Sequence, residues 1–444
     1  MTNFKINYEW SPHNDARPEV GETSAHVRIF LDGFCLTKNE NIWSNKTNEE
    51  VYVSLYPLAM WLASSWWRLH YEVLPDSRRK APSHDWRMSH EMAAANMGFV
   101  WPNIVFSADS DSVHIWAQAS RSNVKESVSF SCGLDAARSI PKTDFTQAVS
   151  SLIEGVLAQL QSVGCRNSDL AELWNFISKD LTNPGEHRKR RLEAELGFDP
   201  EHCPKDLLTE AVDLDEMIGE NSFSELSGAY AENAENRLET MQELVQSEGL
   251  KGTPDKSLHD LSITSTGREP WQVAVSAARE LRAKLGETHG ALKDRTLPDL
   301  LGLTEAGLEE WRPNVRHKAS IAGSDDEKKL NIILRKTHPI AKRFELARLV
   351  GDYARVKMDN AHSCLVAADL STARQKYQRA FAAEFLCPID SLVEYLDGDF
   401  SETALEDAAN HFSVSEKTVE ALLMNNRYLP GYPPDSSMPY SLTS

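Results

Sequence analysis

Hydrophobic and polar positions alternate with a period of two in several short segments of residues 1–145. β-branched and aromatic residues dominate these segments, and Asn, Asp, Gly and Pro separate them, which predicts β-strands. One segment instead places Leu58, Trp61, Leu62 and Trp66 at helical spacing and predicts an amphipathic helix. Core packing is the simpler role for its tryptophans, and an exposed aromatic face that binds a partner is the alternative. The predicted strands are FKINYEW, SAHVRIFLDGF, EEVYVSLY, NIVFSADSD, SVHIWAQAS and ESVSFSCG.

From residue 143 onward the apolar spacing changes to three and four, so residues 146–250 are predicted to form a helical middle region. Thr143 is the predicted cap of its first helix, and Gly164 is the predicted stop. Residues 193–248 contain roughly sixteen Asp and Glu against two Lys and Arg. A solvated helical face or acidic connector explains this charge, and an acidic docking surface that mimics nucleic acid is the alternative.

Residues 251–269 are rich in Gly, Pro, Ser, Thr and Asp, which predicts a linker. Residues 270–430 then predict several helices and a short strand, and residues 431–444 a flexible tail. The predicted fold class is therefore α+β. It combines a β-rich or mixed N-terminal domain over residues 1–145, a helical acidic middle region, and a mostly helical C-terminal domain.

The 444 residues carry 47 Lys and Arg against 66 Asp and Glu, a formal net charge of −19. Phosphate binding needs Lys and Arg, so this balance argues against a surface that coats nucleic acid broadly, although not against a local basic groove. The six cysteines are scattered without a CxxC pair, which fits a reducing compartment. The N-terminal residues lack the layout of a signal peptide, and the longest apolar run falls short of the ~20 residues that span a bilayer. We therefore expect a soluble, cytoplasmic protein.

Four segments of the C-terminal region follow one another at a recognisable spacing. They are the helical segment 270–286, the helical segment 343–352, the segment 375–388 that contains AFAAEFLCP, and Phe412–Ser415. Together they resemble the ImmA/IrrE metallopeptidase family over about 160 residues, and AFAAEFLCP is the most specific part. The resemblance implies a zincin-like C-terminal domain.

In that family one helix presents two histidines at i and i+4 that hold zinc, and the glutamate after the first histidine is the general base. Here Arg348 stands at the first histidine position, Leu349 at the glutamate and Asp352 at the second histidine. The third family ligand, a glutamate on the following helix, aligns with Gln375. A guanidinium has no lone pair for a metal, and leucine cannot move a proton. The resemblance therefore implies a pseudopeptidase with no catalytic residue, no bound metal and no cofactor.

Two interpretations of these degenerate positions remain open. Arg348 and Asp352 lie one helical turn apart, so they predict an ion pair where zinc would have been. Alternatively, Arg348 and Gln375 line a reused pocket that binds a peptide or a small ligand. His338 and His362 flank the helix, but their spacing fits no family ligand, and we interpret both as ordinary polar histidines.

Other candidate motifs are weaker. The segment Ser89-His90-Glu91 begins like a zinc-peptidase motif, but Ala94 stands where the second histidine is needed. His84 lies six residues before His90 without a carboxylate at suitable spacing. The sequence contains no phosphate-binding loop, no dinucleotide-binding glycine pattern and no G-x-S-x-G, so nucleotide hydrolysis and α/β-hydrolase chemistry have no support.

Two elements are candidates for contact with nucleic acid: a basic run and a C-terminal helical pair. The pair resembles a helix-turn-helix, with Val414 in the turn and Ser415 as the cap of its second helix. Glu416 and Glu420 surround its one lysine, so DNA contact is disfavoured. The candidate contact residues are Arg188, Lys189, Arg190, Arg191 and Lys417.

We therefore expect a prokaryotic or mobile-element protein that acts without catalysis, by binding another protein of the same system. The resemblance implies a sensor, scaffold or regulator in a stress-response, toxin–antitoxin or phage-defence system. A DNA-binding transcriptional regulator is one alternative. An enzyme with an unrecognised active site is another, and its candidate acids are Asp32, Asp85, Asp109 and Asp111. No membrane partner is expected.

Overall fold

The computed structural model describes residues 4–41, 46–76, 81–120, 128–231, 236–261, 269–324, 329–356, 364–430 and 439–440. The chain forms two compact units. Unit 1 comprises Met1–Leu208 and Pro434–Ser444, and unit 2 comprises Thr209–Pro433. The described chain is β-rich near its N-terminus and mostly helical toward its C-terminus, so the predicted α+β class is confirmed.

Unit 1 is built from short antiparallel sheets and helices. Its described strands are β1 (Phe4–Trp10), β2 (Ser24–Leu31), β3 (Phe34–Cys35), β4 (Asn39–Asn41), β5 (Lys46–Asn48), β6 (Val51–Ser54), β7 (Asn103–Asp109), β8 (Ser112–Gln118), β9 (Val128–Phe130) and β10 (Arg138–Pro141). Its described helices are α1 (Pro18–Glu22), α2 (Leu55–Ser64), α3 (Trp66–Tyr71), α4 (His84–His90), α5 (Lys142–Ser162), α6 (Asp169–Thr182) and α7 (Pro184–Glu195). The sheet orders are β1-β2-β3 with β6 also on β2, β10-β8-β7, and β5-β4-β9.

The strand β2 shows how the alternating pattern produces these sheets. Its side chains at alternate positions, Ala25, Val27, Ile29 and Leu31, are fully buried, whereas Arg28 between them is exposed. Successive side chains of a strand point to opposite faces, so one face of β2 joins the core and the other meets solvent. The predicted strand FKINYEW coincides with β1, which pairs antiparallel with β2 along its whole length.

The predicted helix with the tryptophans is two helices, α2 and α3, because the chain leaves helical geometry at Ser65 (φ −90°, ψ 5°). Trp61, Trp66 and Trp67 are 7%, 2% and 1% exposed, and all three pack in the core of unit 1. The core interpretation of the tryptophans is therefore correct, and they do not form an exposed face.

Helix α5 crosses the predicted domain boundary at residue 145. It begins at Lys142 directly after Pro141, so Thr143 lies inside the helix and not at its cap. The predicted stop is confirmed, because Gly164 follows the helix with φ +86°. The buried face of α5, including Phe145 and Val149, belongs to the same core as the strands. Unit 1 therefore extends beyond residue 145, since the strands and α5 bury one shared apolar surface.

Unit 2 is mostly helical. Its described helices are α8 (Lys205–Ile218, which spans the division between the units), α9 (Glu220–Ala229), α10 (Arg237–Gln246), α11 (Pro270–Lys284), α12 (Thr296–Leu301), α13 (Glu305–Glu310), α14 (Pro339–Val356), α15 (Ala373–Leu386), α16 (Ile389–Leu396), α17 (Glu402–Phe412) and α18 (Glu416–Asn425). Its described strands β11 (Leu250–Gly252), β12 (Ser320–Ser324), β13 (Leu330–Ile333) and β14 (Cys364–Ala367) form one antiparallel sheet in the order β11-β13-β12-β14. No helix in the described ranges combines the length and apolarity that a membrane crossing requires.

Residues 251–261 of the segment 251–269, which was predicted as a linker, contribute to the core of unit 2, and residues 262–268 lie outside the described residues. Strand β11 pairs with β13, and Leu258 and Leu261 are fully buried in the core. Gly252 is needed there because a Cβ at this position would lie 2.2 Å from the carbonyl oxygen of Leu301. The predicted middle region is likewise divided: α5–α7 belong to unit 1, whereas α9 and α10 belong to unit 2.

The C-terminal segment predicted as a flexible tail contains an anchored residue. Tyr440 is 5% exposed, and its hydroxyl donates a hydrogen bond of 2.8 Å to Oε1 of Glu91. Its ring lies edge-on to Trp86, so the described part of this segment packs onto unit 1. Residues 431–438 and 441–444 lie outside the described residues.

Candidate functional site

Helices α14 and α15 pack against each other and bring three of the four degenerate positions into one buried cluster. Helix α14 carries Arg348, Leu349 and Asp352. Gln375 lies in the first turn of α15, three residues after the capping residue Thr372. The four predicted positions are at most 2% exposed. They are therefore interior groups of unit 2 and not a surface pair.

Arg348 connects α14 to the residue that follows β14 and to α15. Its Nη1 donates to Oε1 of Glu345 at 3.0 Å, and its Nη2 donates to the carbonyl of Ala368 at 2.6 Å and to Oε1 of Gln375. Burial lowers the pKa of Arg348, and the carboxylate of Glu345 opposes that effect.

The side-chain amide of Gln375 uses all of its hydrogen-bonding capacity. Its Oε1 accepts from Arg348 and from the backbone N–H of Ala368 at 2.9 Å. Its Nε2 donates to the carbonyl of Val366 at 2.8 Å and to Oε2 of Glu225 at 3.0 Å. An amide accepts two and donates two hydrogen bonds, so Gln375 has none left for a ligand in this conformation. The interpretation of Arg348 and Gln375 as an open pocket is therefore not supported.

Asp352 pairs with Arg374 and not with Arg348. Nε of Arg374 lies 3.1 and 3.0 Å from the two carboxylate oxygens, and Nη2 lies 2.6 Å from Oδ2. Burial opposes the charge of Arg374, but Asp352 outweighs it and raises the pKa of the guanidinium. The predicted i,i+4 pair does not form, because each charge has a better-placed partner on another residue.

Glu345 extends the cluster toward β13. Its Oε1 accepts from Arg348 at 3.0 Å and from Nη2 of Arg335 at 2.9 Å, and Arg335 also binds both carboxylate oxygens of Asp369 at 2.8 and 2.9 Å. Burial alone would raise the pKa of Glu345, but the two guanidinium groups outweigh it and hold the pKa below its ordinary value. Glu345 is therefore ionised at neutral pH.

Helix α9 covers the cluster with two polar side chains. Oε1 of Glu225 accepts from the hydroxyl of Thr372 at 2.6 Å, in addition to the contact with Gln375. The hydroxyl of Ser222 accepts from Nη1 of Arg374 at 3.3 Å and donates to the carbonyl of Cys364. Ser222 and Glu225 are 4% and 3% exposed. This part of the acidic stretch is neither a solvated face nor a docking surface.

The resulting buried network has a donor set that does not fit zinc. Leu349 is fully buried in the hydrophobic core of unit 2, and the oxygens of Asp352 already bind Arg374. Zinc sites use several cysteine, histidine or carboxylate ligands with free lone pairs, and a guanidinium supplies none. Among the described residues no group of three or more His, Cys, Asp and Glu side chains is arranged to hold a metal. The network consists of Arg335, Arg348, Arg374, Glu225, Glu345, Asp352, Asp369, Gln375, Thr372 and Ser222.

The histidines that flank α14 do not join this network. His338 is exposed, and its carbonyl accepts the first backbone hydrogen bond of the helix from Lys342. His362 lies outside the described residues.

The histidine motif of unit 1 is a packed core element. His90 is fully buried, with Nδ1 2.9 Å from the carbonyl of Phe106 and Nε2 3.0 Å from Oε2 of Glu72. Its ring stacks on Trp86 with centroids 3.9 Å apart. Glu91 instead pairs with Arg87 and Tyr440. His84 begins α4 at the exposed end of the helix.

The four aspartates that were candidates for an unrecognised active site in unit 1 do not form a cluster. Asp85 lies 2.8 Å from Nη1 of Arg68, and Asp109 lies 2.6 Å from Nε2 of His114. Asp32 is in the turn between β2 and β3, and Asp111 is in the turn between β7 and β8. They are not grouped as a metal site.

The basic run at 188–191 lies on α7, where acidic side chains pair with Lys189, Arg190 and Arg191. Arg190 pairs with Asp180, Glu193 and Glu201, and Arg191 pairs with Glu195. The two arginines are 6% and 3% exposed. Their guanidinium groups are therefore turned into unit 1, which leaves exposed Lys189 and half-buried Arg188 as the run's contribution to the surface.

The C-terminal helical pair has the predicted cap and turn. Ser413 takes a left-handed conformation (φ 52°) at the end of α17, and the side chain of Ser415 accepts from the backbone N–H of Thr418. Lys417 is exposed beside exposed Glu416. The exposed start of α18 is therefore not a basic surface for DNA.

No family model, no curated protein and no solved structure matches this chain.

Proposed function

We propose that this chain is a non-catalytic, ImmA/IrrE-like pseudopeptidase with a zincin-like C-terminal domain. It acts by binding another protein, as a sensor, scaffold or regulator in a stress-response, toxin–antitoxin or phage-defence system. The family and the biological setting come from the resemblance of the C-terminal segments. The alternative of DNA binding has less support, because Arg190 and Arg191 are buried in ion pairs.

One observation supports the proposal: the side chains of Arg348, Asp352 and Gln375, which stand at positions of family metal ligands in the resemblance, are buried and bonded to other protein groups. Arg348 and Gln375 contact each other directly, and Arg374 engages both oxygens of Asp352. Replacing a single partner of such a network leaves a buried charge without compensation, so each member is needed for the stability of the others. A polypeptide that keeps this scaffold without its reaction can still present surfaces to a partner.

The test measures zinc and cleavage in the full-length protein. We expect the purified chain, incubated with zinc and dialysed, to hold well under one zinc ion per chain. A partner that co-purifies from the native host is expected to be recovered at its full length. The matched control is an active ImmA/IrrE peptidase treated in the same way, which must retain zinc.

Stoichiometric zinc in the wild-type chain contradicts the proposal. Chelator-sensitive cleavage of the co-purified partner contradicts it as well, provided that the activity co-elutes with the chain in size-exclusion chromatography. Activity that separates from the chain is assigned to a contaminating protease.

A further inference from the structure

A cleft of about 930 Å³ opens in unit 2 beside the N-terminal half of α14. Its walls come from α12, α13 and α14 and from the loop before α12. This volume lies within the range of about 300–1,000 Å³ that ligand sites occupy in proteins.

The cleft is separate from the buried network, because it uses another face of the same helix. Pro339, Lys342, Arg343 and Leu346 line the cleft at spacings of three and four. Glu345, Arg348 and Asp352 share a different face of α14. Residues three and four apart share a helix face, so an occupant of the cleft leaves the ion pairs in place.

The cleft concentrates positive charge in a chain with a net charge of −19. Nζ of Lys342 lies 2.5 Å from the carbonyl of Leu308, and Nη1 of Arg312 lies 2.7 Å from the carbonyl of Glu309. Within the described part of the chain, neither cation forms an ion pair. Burial lowers the pKa of Lys342, and the nearby charge of Arg312 lowers it further. An anion between these two groups would relieve their repulsion.

Arg343 adds a third cation, and one of its N–H donors makes no hydrogen bond within the described part of the chain. Its Nη1 lies 3.1 Å from Oδ1 of Asp294, whose side chain is 94% exposed. Its Nε is buried without a hydrogen-bond partner among the described residues. Its Nη2 also donates a hydrogen bond of 2.9 Å to the carbonyl of Leu292, so this backbone contact and the solvent-screened pair with Asp294 hold Arg343 in the wall of the cleft.

The rest of the lining indicates the kind of anion. Leu297, Leu308, Ile340 and Leu346 supply aliphatic surface, and no aromatic ring is among the described lining residues. Carboxylates also line the cleft, at Glu305 and Glu309 among others. The acids among these cations repel a phosphate group, which concentrates its negative charge in one place. The same acids accept hydrogen bonds from the backbone N–H groups of a peptide, and the cations bind carboxylates that are spaced along it.

We propose that this cleft binds an acidic peptide segment of a partner protein, with an aliphatic side chain on its floor and carboxylates at Lys342, Arg312 and Arg343. The inference rests on the proposed function, because it specifies the chemistry of the partner that the pseudopeptidase binds. Charge complementarity between the cleft and the peptide is the basis for the choice of occupant.

The experiment selects a random dodecapeptide phage library against the immobilised full-length protein. We expect the enriched peptides to combine Asp or Glu with Leu, Ile or Val. The most enriched peptide, synthesised with a fluorescent label, is then titrated by fluorescence polarisation. Arg312→Glu is expected to weaken binding about tenfold or more through like-charge repulsion. Lys417→Glu, which also reverses an exposed cation of unit 2, is expected to bind as the wild type does.

Peptides in which Glu is replaced by Gln, or Leu by Ser, repeat the test without changing the protein, and both are expected to bind more weakly. No enrichment, enrichment of neutral or basic peptides, or equal binding by Arg312→Glu overturns the inference. Pyrophosphate binding that Arg312→Glu abolishes, without any peptide enrichment, also overturns it and assigns the cleft to phosphate. Failure of the proposed function has a different signature, since zinc retention and chelator-sensitive cleavage do not depend on the cleft.

Discussion

At the residue scale, Arg348 illustrates how a buried charge is accommodated. It is 2% exposed, and its three partners are a carboxylate, a backbone carbonyl and an amide oxygen. The sequence identified Arg348 as a residue that cannot bind metal, but it did not identify Glu345 as the partner of Arg348.

Arg348→Met is expected to lower the free energy of unfolding of unit 2 by about 3–5 kcal/mol, because Glu345 and the oxygen of Gln375 lose a buried donor. Urea denaturation followed by circular dichroism measures the effect. The double variant Arg348→Met with Glu345→Gln is expected to cost less than the sum of the two single changes. Strictly additive costs, or a loss below about 1 kcal/mol for Arg348→Met, would show that the ion pair is unimportant.

The predictability of the site differs from residue to residue. The spacing of a family motif identified Arg348, Leu349, Asp352 and Gln375 as candidate site residues. The partners Arg335, Asp369 and Glu225 come from segments that are far apart in the chain, and no local pattern links them. Their assembly depends on the antiparallel sheet and on α9, which sequence periodicity does not specify.

At the element scale, the contact between α14 and α15 decides the geometry of the network. Gly351 on α14 faces Phe381 on α15, and a Cβ added to Gly351 would lie 2.5 Å from the phenyl ring. The close approach of the two helices therefore requires glycine at this position. Long periodic helices such as α14 were predicted well, whereas β12 and β14 were missed because they are short and fully or partly buried.

Gly351→Ala is expected to destabilise unit 2 by about 1–3 kcal/mol through overpacking. This loss outweighs the gain of about 1 kcal/mol that alanine gives in a helix interior. Thermal or urea unfolding measures it, and the same change in a Phe381→Leu background is expected to cost less, because the smaller side chain leaves room. An increase in stability on Gly351→Ala in the wild-type background would contradict the close packing.

At the scale of the whole molecule, the division into two units departs from the sequence-based segmentation. Composition placed boundaries at residues 145 and 251, but the apolar faces of α5 and the 250–261 segment join larger cores. Hydrophobic burial, not local Gly and Pro content, determines where each unit ends. The C-terminal segment returns to unit 1 through Tyr440, which no local signal in the sequence indicates.

Tyr440→Ala is expected to destabilise unit 1 by about 2 kcal/mol, because a buried aromatic side chain and its hydrogen bond to Glu91 are lost. Hydrogen exchange resolved by mass spectrometry is expected to show faster exchange in α4 and no change in α14. Tyr428→Ala, at a tyrosine that is 47% exposed in unit 2, is the control. Equal protection of α4 in the wild type and in Tyr440→Ala would rule out the anchoring role.

The mutual dependence of Arg348, Glu345 and Gln375 has an evolutionary consequence. A change at one of these positions alone would leave a buried charged or polar group without its partner. Natural variation at the three positions is therefore expected to occur in coordinated sets.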